Sequence, residues 1–285
     1  MRRALAGLIV VSAAFPTAAR AETPAERGAY LVGSIAACGN CHTPKNADGA
    51  ERTDETLAGG FVVELPPHTA VAPNITPDPE TGIGRWNDRQ IARAIREGVR
   101  PDGTVIDPPM PIEFYSKISD RDVMAIVAYL RTVAPVRNAV AKSIYRVEPP
   151  RSWGNAAGDP DPPPQADRVA YGAYLAGPVG RCMECHTPMR ADGMGRDMAR
   201  AGSGGTPVPG PNEPVVPPNV TPDPETGIGR WTDGEIKRAI TQGVSRDGRL
   251  LSPSMPFPYY ARMTARDLDS VVAYLRTLKP LPAQN

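Results

Sequence analysis

The chain is written twice. "NITPDPETGIGRW" at residues 74–86 returns as "NVTPDPETGIGRW" at 219–231, with one residue changed. "VAYLRT" at 127–132 returns at 272–277, "GAYL" at 28–31 returns at 172–175, and "CGNCH" at 38–42 is answered by "CMECH" at 182–186. The early matches are offset by 144 residues and the later ones by 145, so one register runs through a whole unit with one residue inserted. A period this long describes duplicated domains rather than a solenoid. Whatever one unit folds into, its copy must fold into as well.

Each unit has the same coarse plan. A first helix is expected near 24–37 and again near 167–180, with the Cys-x-x-Cys-His stretch directly after it. A long Gly/Pro-rich stretch follows. A middle helix begins at "WNDRQIARAIREGV" and at "WTDGEIKRAITQGV", where Asn87 with Gln90 and Thr232 with Glu235 form capping boxes. Ser119 and Thr264 start a last helix. Its apolar face is Val123, Ile126, Val127 and Leu130, repeated as Leu268, Val271, Val272 and Leu275. No run alternates long enough to demand a sheet. The expected fold is therefore all-α, two tandem units with long Pro/Gly-rich loops. The first unit covers residues 22–134 and the second 169–285. Between them, residues 135–168 hold seven prolines and read as an extended, semi-rigid linker lying along the unit surfaces.

Residues 1–21 read as a cleaved secretory leader: Arg2 and Arg3 precede an apolar run, and Ala19-Arg20-Ala21 is a small-x-small cleavage site. The apolar run over residues 4–14 is shorter than the roughly 20 needed to span a bilayer, and no later stretch is longer. An exported, periplasmic chain is expected, with any membrane association made through a partner. The net charge of +1 and the absence of a basic stripe speak against nucleic acid.

All four cysteines lie in the two Cys-x-x-Cys-His stretches. A thioredoxin-like redox site would need a βαβ setting, and none is visible. A zinc site made of two Cys-x-x-Cys pairs spaces them by about 15–20 residues, whereas these pairs lie 144 apart. A disulfide suits an exported chain but leaves the histidine unexplained. Haem attachment explains every residue. Cys38 and Cys41 form thioethers to the vinyl groups of one haem, with His42 as its proximal ligand. Cys182, Cys185 and His186 do the same for a second. Two covalently bound haem c groups would also fill a core in which aromatic residues are only 6% of the chain.

At these residues the chain resembles the class I cytochromes c, whose domains run from an N-terminal helix through Cys-x-x-Cys-His to a C-terminal helix that crosses the first. That family implies a small residue facing an aromatic one at the crossing, which Gly28 with Tyr129 and Gly172 with Tyr274 fit. More narrowly, "N-x-TPDPETGIGRW", the later "MP" and the final "AYLRT" resemble cytochrome c subunits of bacterial periplasmic alcohol, gluconate and related dehydrogenases. The resemblance covers almost all of the chain beyond the leader. It departs in one respect: many of those subunits carry three haem units and a membrane-associating tail, and this chain shows two units and no such tail.

The sixth iron ligand separates a carrier from an enzyme. Of nine methionines, only Met110 and Met255 occupy equivalent positions, in "DPPMPIEFY" and "SPSMPFPYY". Flanking prolines make each a rigid strap, and both are read as distal ligands, against a reading as core filler. His68 is weighed as an alternative ligand and read as a loop histidine. No cysteine is spare for a thiolate ligand. Trp86 and Arg85, with Trp231 and Arg230, are candidates for haem propionate contacts, or else parts of a turn-rich scaffold. A His/Met haem is closed to substrate and suits one-electron transfer. The expected role is a dihaem electron carrier, not an enzyme, taking electrons from a periplasmic dehydrogenase to a downstream cytochrome or oxidase. A dihaem peroxidase with one open iron, or a protein that only docks cytochromes, are the competing readings. Residues 22–134 carry 11 basic and 16 acidic groups, and residues 169–285 carry 13 and 11, so the two units are expected to face different partners.

Overall fold

The computed structural model describes residues 20–148, 150–193, 195–208, 210 and 213–283. The leader expected over residues 1–21 lies, as far as residue 19, outside the described residues, and so does Met194.

The first repeat holds α1 (Pro24–Gly33), α2 (Gly39–His42), β1 (Val62–Leu65), β2 (His68–Val71), α3 (Asp88–Glu97), α4 (Ile112–Tyr115) and α5 (Asp120–Leu130). After β3 (Ile144–Tyr145), the second repeat holds α6 (Arg168–Tyr174), α7 (Cys182–His186), α8 (Asp233–Gln242), α9 (Phe257–Tyr260) and α10 (Ala265–Thr277). Among the described residues, no helix is long and apolar enough to cross a membrane.

Local chemistry sets the helix starts. Thr23 caps α1 through a reciprocal pair with Glu26, and Pro24 stands where the backbone N–H has no helical partner anyway. Asn87–Gln90 and Thr232–Glu235 close the expected capping boxes on α3 and α8. Both middle helices stop at a left-handed glycine, Gly98 and Gly243. The first helix of each repeat crosses the last at close range. A Cβ on Gly28 would lie 1.9 Å from the Ala125 carbonyl oxygen and 2.8 Å from Tyr129 Cβ. On Gly172 it would lie 1.9 Å from the Ser270 oxygen and 3.0 Å from Tyr274 Cβ. Only glycine lets the backbones approach this closely. A single apolar cluster runs through both repeats, from Leu31, Ile126 and Leu130 to Leu175, Val272 and Leu275.

The first helix of the first repeat ends earlier than expected, at Gly33, whereas that of the second runs on from Tyr174 as a π-helix over Leu175–Val179, to about its expected end. In both repeats the chain leaves the α-helix through a wide turn, with Ala36 N–H bonded to the Leu31 carbonyl and Gly180 N–H to that of Leu175. Ala37 and Arg181 then take the left-handed conformation, at φ 48° and 56°, and turn the chain into α2 and α7. Pro178 has no N–H with which to continue α6.

The all-α expectation needs a correction. β1, β2 and β3 form a three-stranded antiparallel sheet in that order, with Val63 opposite Ala70 and Thr69 opposite Ile144. Two strands of four residues are too short to show a period, and the third comes from the segment read as a linker. That segment is docked along the first repeat. The Trp153 indole N–H donates to the Ile106 carbonyl at 2.7 Å. The Asp159 and Pro160 carbonyls accept from the N-terminal amides of α5, at 2.9 and 3.0 Å from Asp120 N and Arg121 N, and so satisfy donors no helix can satisfy internally.

The two repeats meet in a reciprocal contact. The Tyr30 hydroxyl donates to Asp267 at 2.7 Å, and its equivalent, that of Tyr174, donates to Asp122 at 2.8 Å. Each hydroxyl in turn accepts the N–H of the opposite repeat's helix cap, Thr264 at 3.1 Å and Ser119 at 3.2 Å. Asp122 also takes a two-pronged bond from Arg27, both prongs at 2.9 Å. Asp267 lacks that cation, because Tyr171 stands where Arg27 stands in the first repeat.

Candidate functional site

The wide turn and the left-handed residue after it deliver the Cys-x-x-Cys-His stretch onto the edge of an apolar cavity of about 280 Å³. Cys38, Cys41, His42, Trp86 and Met110 all line it. Val32, Ile91, Ile95, Ile126 and Leu130 supply its helical walls, and Phe61, Val63, Ala70 and Tyr145 supply a wall from the sheet. The unforeseen strands, β3 included, are therefore part of the site.

All four cysteines are free and half-buried. Burial pushes the Cys38 thiol up to about 11 and that of Cys182 up to about 12. Burial thus keeps them as neutral thiols at ordinary pH. His42 Nδ1 lies 2.9 Å from the Pro73 carbonyl oxygen, and His186 Nδ1 lies 2.8 Å from that of Pro218. A carbonyl only accepts, so each Nδ1 carries the proton and each Nε2 is left with its lone pair. Burial lowers both imidazoles below the usual range, against the pull of that carbonyl bond, which favours the neutral ligand form. Pro73 and Pro218 immediately precede the repeated asparagine, a signal legible in the sequence but not used.

Met110 and Met255 sit in the same backbone turn. Ile112 N–H bonds to the Met110 carbonyl at 2.9 Å, and Phe257 N–H bonds to that of Met255 at 2.8 Å. Pro111 and Pro256 hold nearly the same dihedrals before α4 and α9. Met110 is on the cavity wall, and Met255 is half-buried like it.

The candidates for propionate contacts separate. Trp86 lines the cavity, and Trp231 packs against the core. Arg85 is exposed and absent from the cavity wall. Arg230 is exposed and paired with Glu225. The TPDPETGIGRW segment braces itself. Asn74 donates to Thr81 at 3.0 Å and to the Val136 carbonyl at 2.7 Å, and Asn219 repeats this with Thr226 and Leu281 at 3.0 and 2.6 Å. The guanidinium groups of Arg131 and Arg276 hold the Trp86 and Trp231 carbonyls. His68 is buried in β2 against the Tyr145 ring, centroids 5.9 Å apart, and is not on the cavity wall.

Polar residues of the cavity wall that no motif marks include Tyr115, Arg100, Asp107 and Arg181. Tyr115 had a signal, since Tyr260 is its repeat equivalent. The others have none, because the second repeat carries Ser245, Ser252 and, in the reverse sense, the first carries Ala37. Arg181 belongs to the second repeat yet walls the cavity of the first.

These residues fit a haem held through two thioethers: two neutral thiols, an imidazole with a free Nε2, a thioether sulfur and apolar walls meet at one cavity. Comparison with known proteins agrees. Residues 25–134 match the Cytochrome c family profile. The chain is 29% identical over 275 residues to the cytochrome c subunit of a quinone-type alcohol dehydrogenase from Gluconacetobacter polyoxogenes, covering 90% of this chain and 56% of that one. It is 31% identical over 283 residues to the fructose dehydrogenase cytochrome subunit of Gluconobacter japonicus, covering 92% and 54%. It thus spans little more than half the length of those subunits. A diheme cytochrome c-type protein of Cereibacter sphaeroides is 32% identical over 221 residues, covering 74% of this chain and 70% of its own. The chain belongs to the cytochrome c family.

Proposed function

We propose that the chain is a dihaem electron-transfer protein of the periplasm, the electron-accepting partner or subunit of a substrate dehydrogenase that passes electrons singly to a downstream cytochrome or oxidase. The observation that carries this is the duplicated histidine geometry. In each repeat a proline carbonyl fixes Nδ1 and leaves Nε2 to an iron, and an equivalent methionine waits in an equivalent turn. A haem c with histidine and methionine ligands supplies a one-electron couple that keeps its ligands in both oxidation states.

The protein's part is to hold that couple. Cys38 and Cys41 anchor one group and Cys182 and Cys185 the other. His42 and His186 would bind the two irons through Nε2, and Met110 and Met255 would bind them through sulfur and keep substrate out. The apolar walls exclude water. The attachment stretches lie near one interface: Arg181, which leads into the second, lines the cavity of the first beside Cys38, Cys41 and His42. Two one-electron sites so placed suit a partner that oxidises its substrate by two electrons. The names of the alcohol and fructose dehydrogenase subunits support such a partner. The acidic first repeat and the slightly basic second one offer two docking surfaces of different charge.

The test is the absorption spectrum of the dithionite-reduced protein with and without carbon monoxide. An unchanged spectrum means both irons keep their sixth ligand. Prompt binding at one haem would replace the carrier with an enzyme that has one open site.

A further inference from the structure

The contact between the repeats is reciprocal in its tyrosines and asymmetric in its charges. Tyr115 and Tyr260 are equivalent and buried, and each donates its hydroxyl to the carbonyl at the end of its own repeat's wide turn, Ala36 at 3.4 Å and Gly180 at 3.2 Å. The residues that lead into the two Cys-x-x-Cys-His stretches share a left-handed backbone. Their side chains differ: the first repeat has the methyl of Ala37 and the second has the guanidinium of Arg181. One turn on, Asn40 in the first repeat is matched by Glu184 in the second.

Arg181 reaches across to the first repeat. Its guanidinium carbon lies 5.8 Å from the centroid of the Tyr115 ring, and the residue lines the first cavity beside Cys38, Cys41 and His42. One terminal nitrogen meets the Glu184 carboxylate at 2.8 Å. The Nε–H is buried with no hydrogen-bond partner among the described residues. Glu184 is not on that wall. The pair is therefore a dipole with its positive end at the first cavity and its negative end set back from it. No equivalent exists in the first repeat, so nothing cancels it by symmetry.

A positive charge in a poorly solvated place stabilises whichever redox form is less positive. For an iron centre that is the reduced form. We propose that Arg181 of the second repeat completes the first haem's pocket and, with Glu184 behind it, raises the first haem's potential relative to the second, drawing electrons toward the first repeat. This rests on the haem reading of both sites. It makes Arg181 a positioning and tuning residue that ligates nothing.

The experiment is an optical redox titration of the purified holoprotein and of Arg181→Met, Arg181→Lys and Glu184→Gln. The first haem is identified by nuclear Overhauser contacts to the Tyr115 ring. Arg181→Met should lower the first haem's midpoint, changing its reduced-to-oxidised ratio at fixed potential by about tenfold, with a smaller change at the second. Glu184→Gln should move the same midpoint upward, and Arg181→Lys should keep most of the native value. Equal shifts at both haems, no shift, or shifts of the same sign in Arg181→Met and Glu184→Gln would overturn the proposal. Haem content is measured on each variant. If Arg181→Met loses its haem through misfolding, the Lys and Gln variants decide by the same criteria. A native protein without covalent haem would remove the functional reading itself.

Discussion

The two repeats share a backbone and differ in what surrounds it. Every interaction that shapes a ligand is copied: the proline carbonyl on the histidine, the methionine turn, the braced asparagine, the glycine at the helix crossing. The outer wall is not. The first repeat closes its cavity with a hairpin and a third strand from the following segment. Among the described residues, the second keeps the pair Val208 with Val215, which is equivalent to Val63 with Ala70. Pro207 and Pro214 stand there where Val62 and Thr69 stand in the first, and a proline has no N–H to give a ladder. Duplication has preserved the histidine and methionine settings proposed to hold an iron and released the parts around them. That is the pattern expected of two similar couples tuned apart.

The largest effects should come from the shared machinery. Replacing Met110 with Leu should let one haem of the reduced protein bind carbon monoxide, and Met255→Leu should open the other. A variant whose reduced spectrum ignores the gas would remove that methionine from the ligand set. Next comes the interface, where the repeats differ. Asp122→Ala strands the Arg27 guanidinium, which is 12% exposed, and losing one partner of a buried pair costs about 3–5 kcal/mol. Asp267→Ala leaves only unpaired neutral groups and should cost about 1–3 kcal/mol. Denaturant unfolding of the two variants checks the order, and equal losses would show that Arg27 is not the source of the difference. The helix crossings should behave alike. Gly28→Ala and Gly172→Ala each force two backbones apart and should each lose about 1–3 kcal/mol, seen as matched falls in thermal midpoint. A clear inequality would mean one crossing is looser than its geometry shows.

The smallest effect is on pH. Backbone and hydroxyl bonds from Thr81 and Thr226 hold Asp78 and Asp223 below the usual carboxylate range. A folded-state value below the unfolded one gives stability that is present above the ordinary carboxylate value and is lost as pH falls through the lowered one. Both loops should therefore loosen together on acidification, with amide exchange at Thr81 and Thr226 as the readout. Loosening on alkalinisation would contradict the assignment.

What was legible in the sequence was what repeats locally. The capping boxes at Asn87 and Thr232, the helix starts at Ser119 and Thr264, and the glycines facing Tyr129 and Tyr274 are each set by residues within a few positions or by a matched pair of motifs. What was not legible is what tertiary contact decides. The sheet takes its third strand, at Ile144, from a segment that reads as spacer. Arg85 and Arg230 stand beside tryptophans in sequence yet face outward. Arg181 gives its side chain to the neighbouring repeat, and no motif within its own repeat carries that information.

One covalent haem in each repeat is read out by the intact mass of the acid-denatured, purified protein. The expected mass is that of the chain without residues 1–21 plus two haems, falling by one haem when Cys38 and Cys41, or Cys182 and Cys185, are replaced by serine. A native mass carrying one haem or none, with both motifs intact, would contradict it.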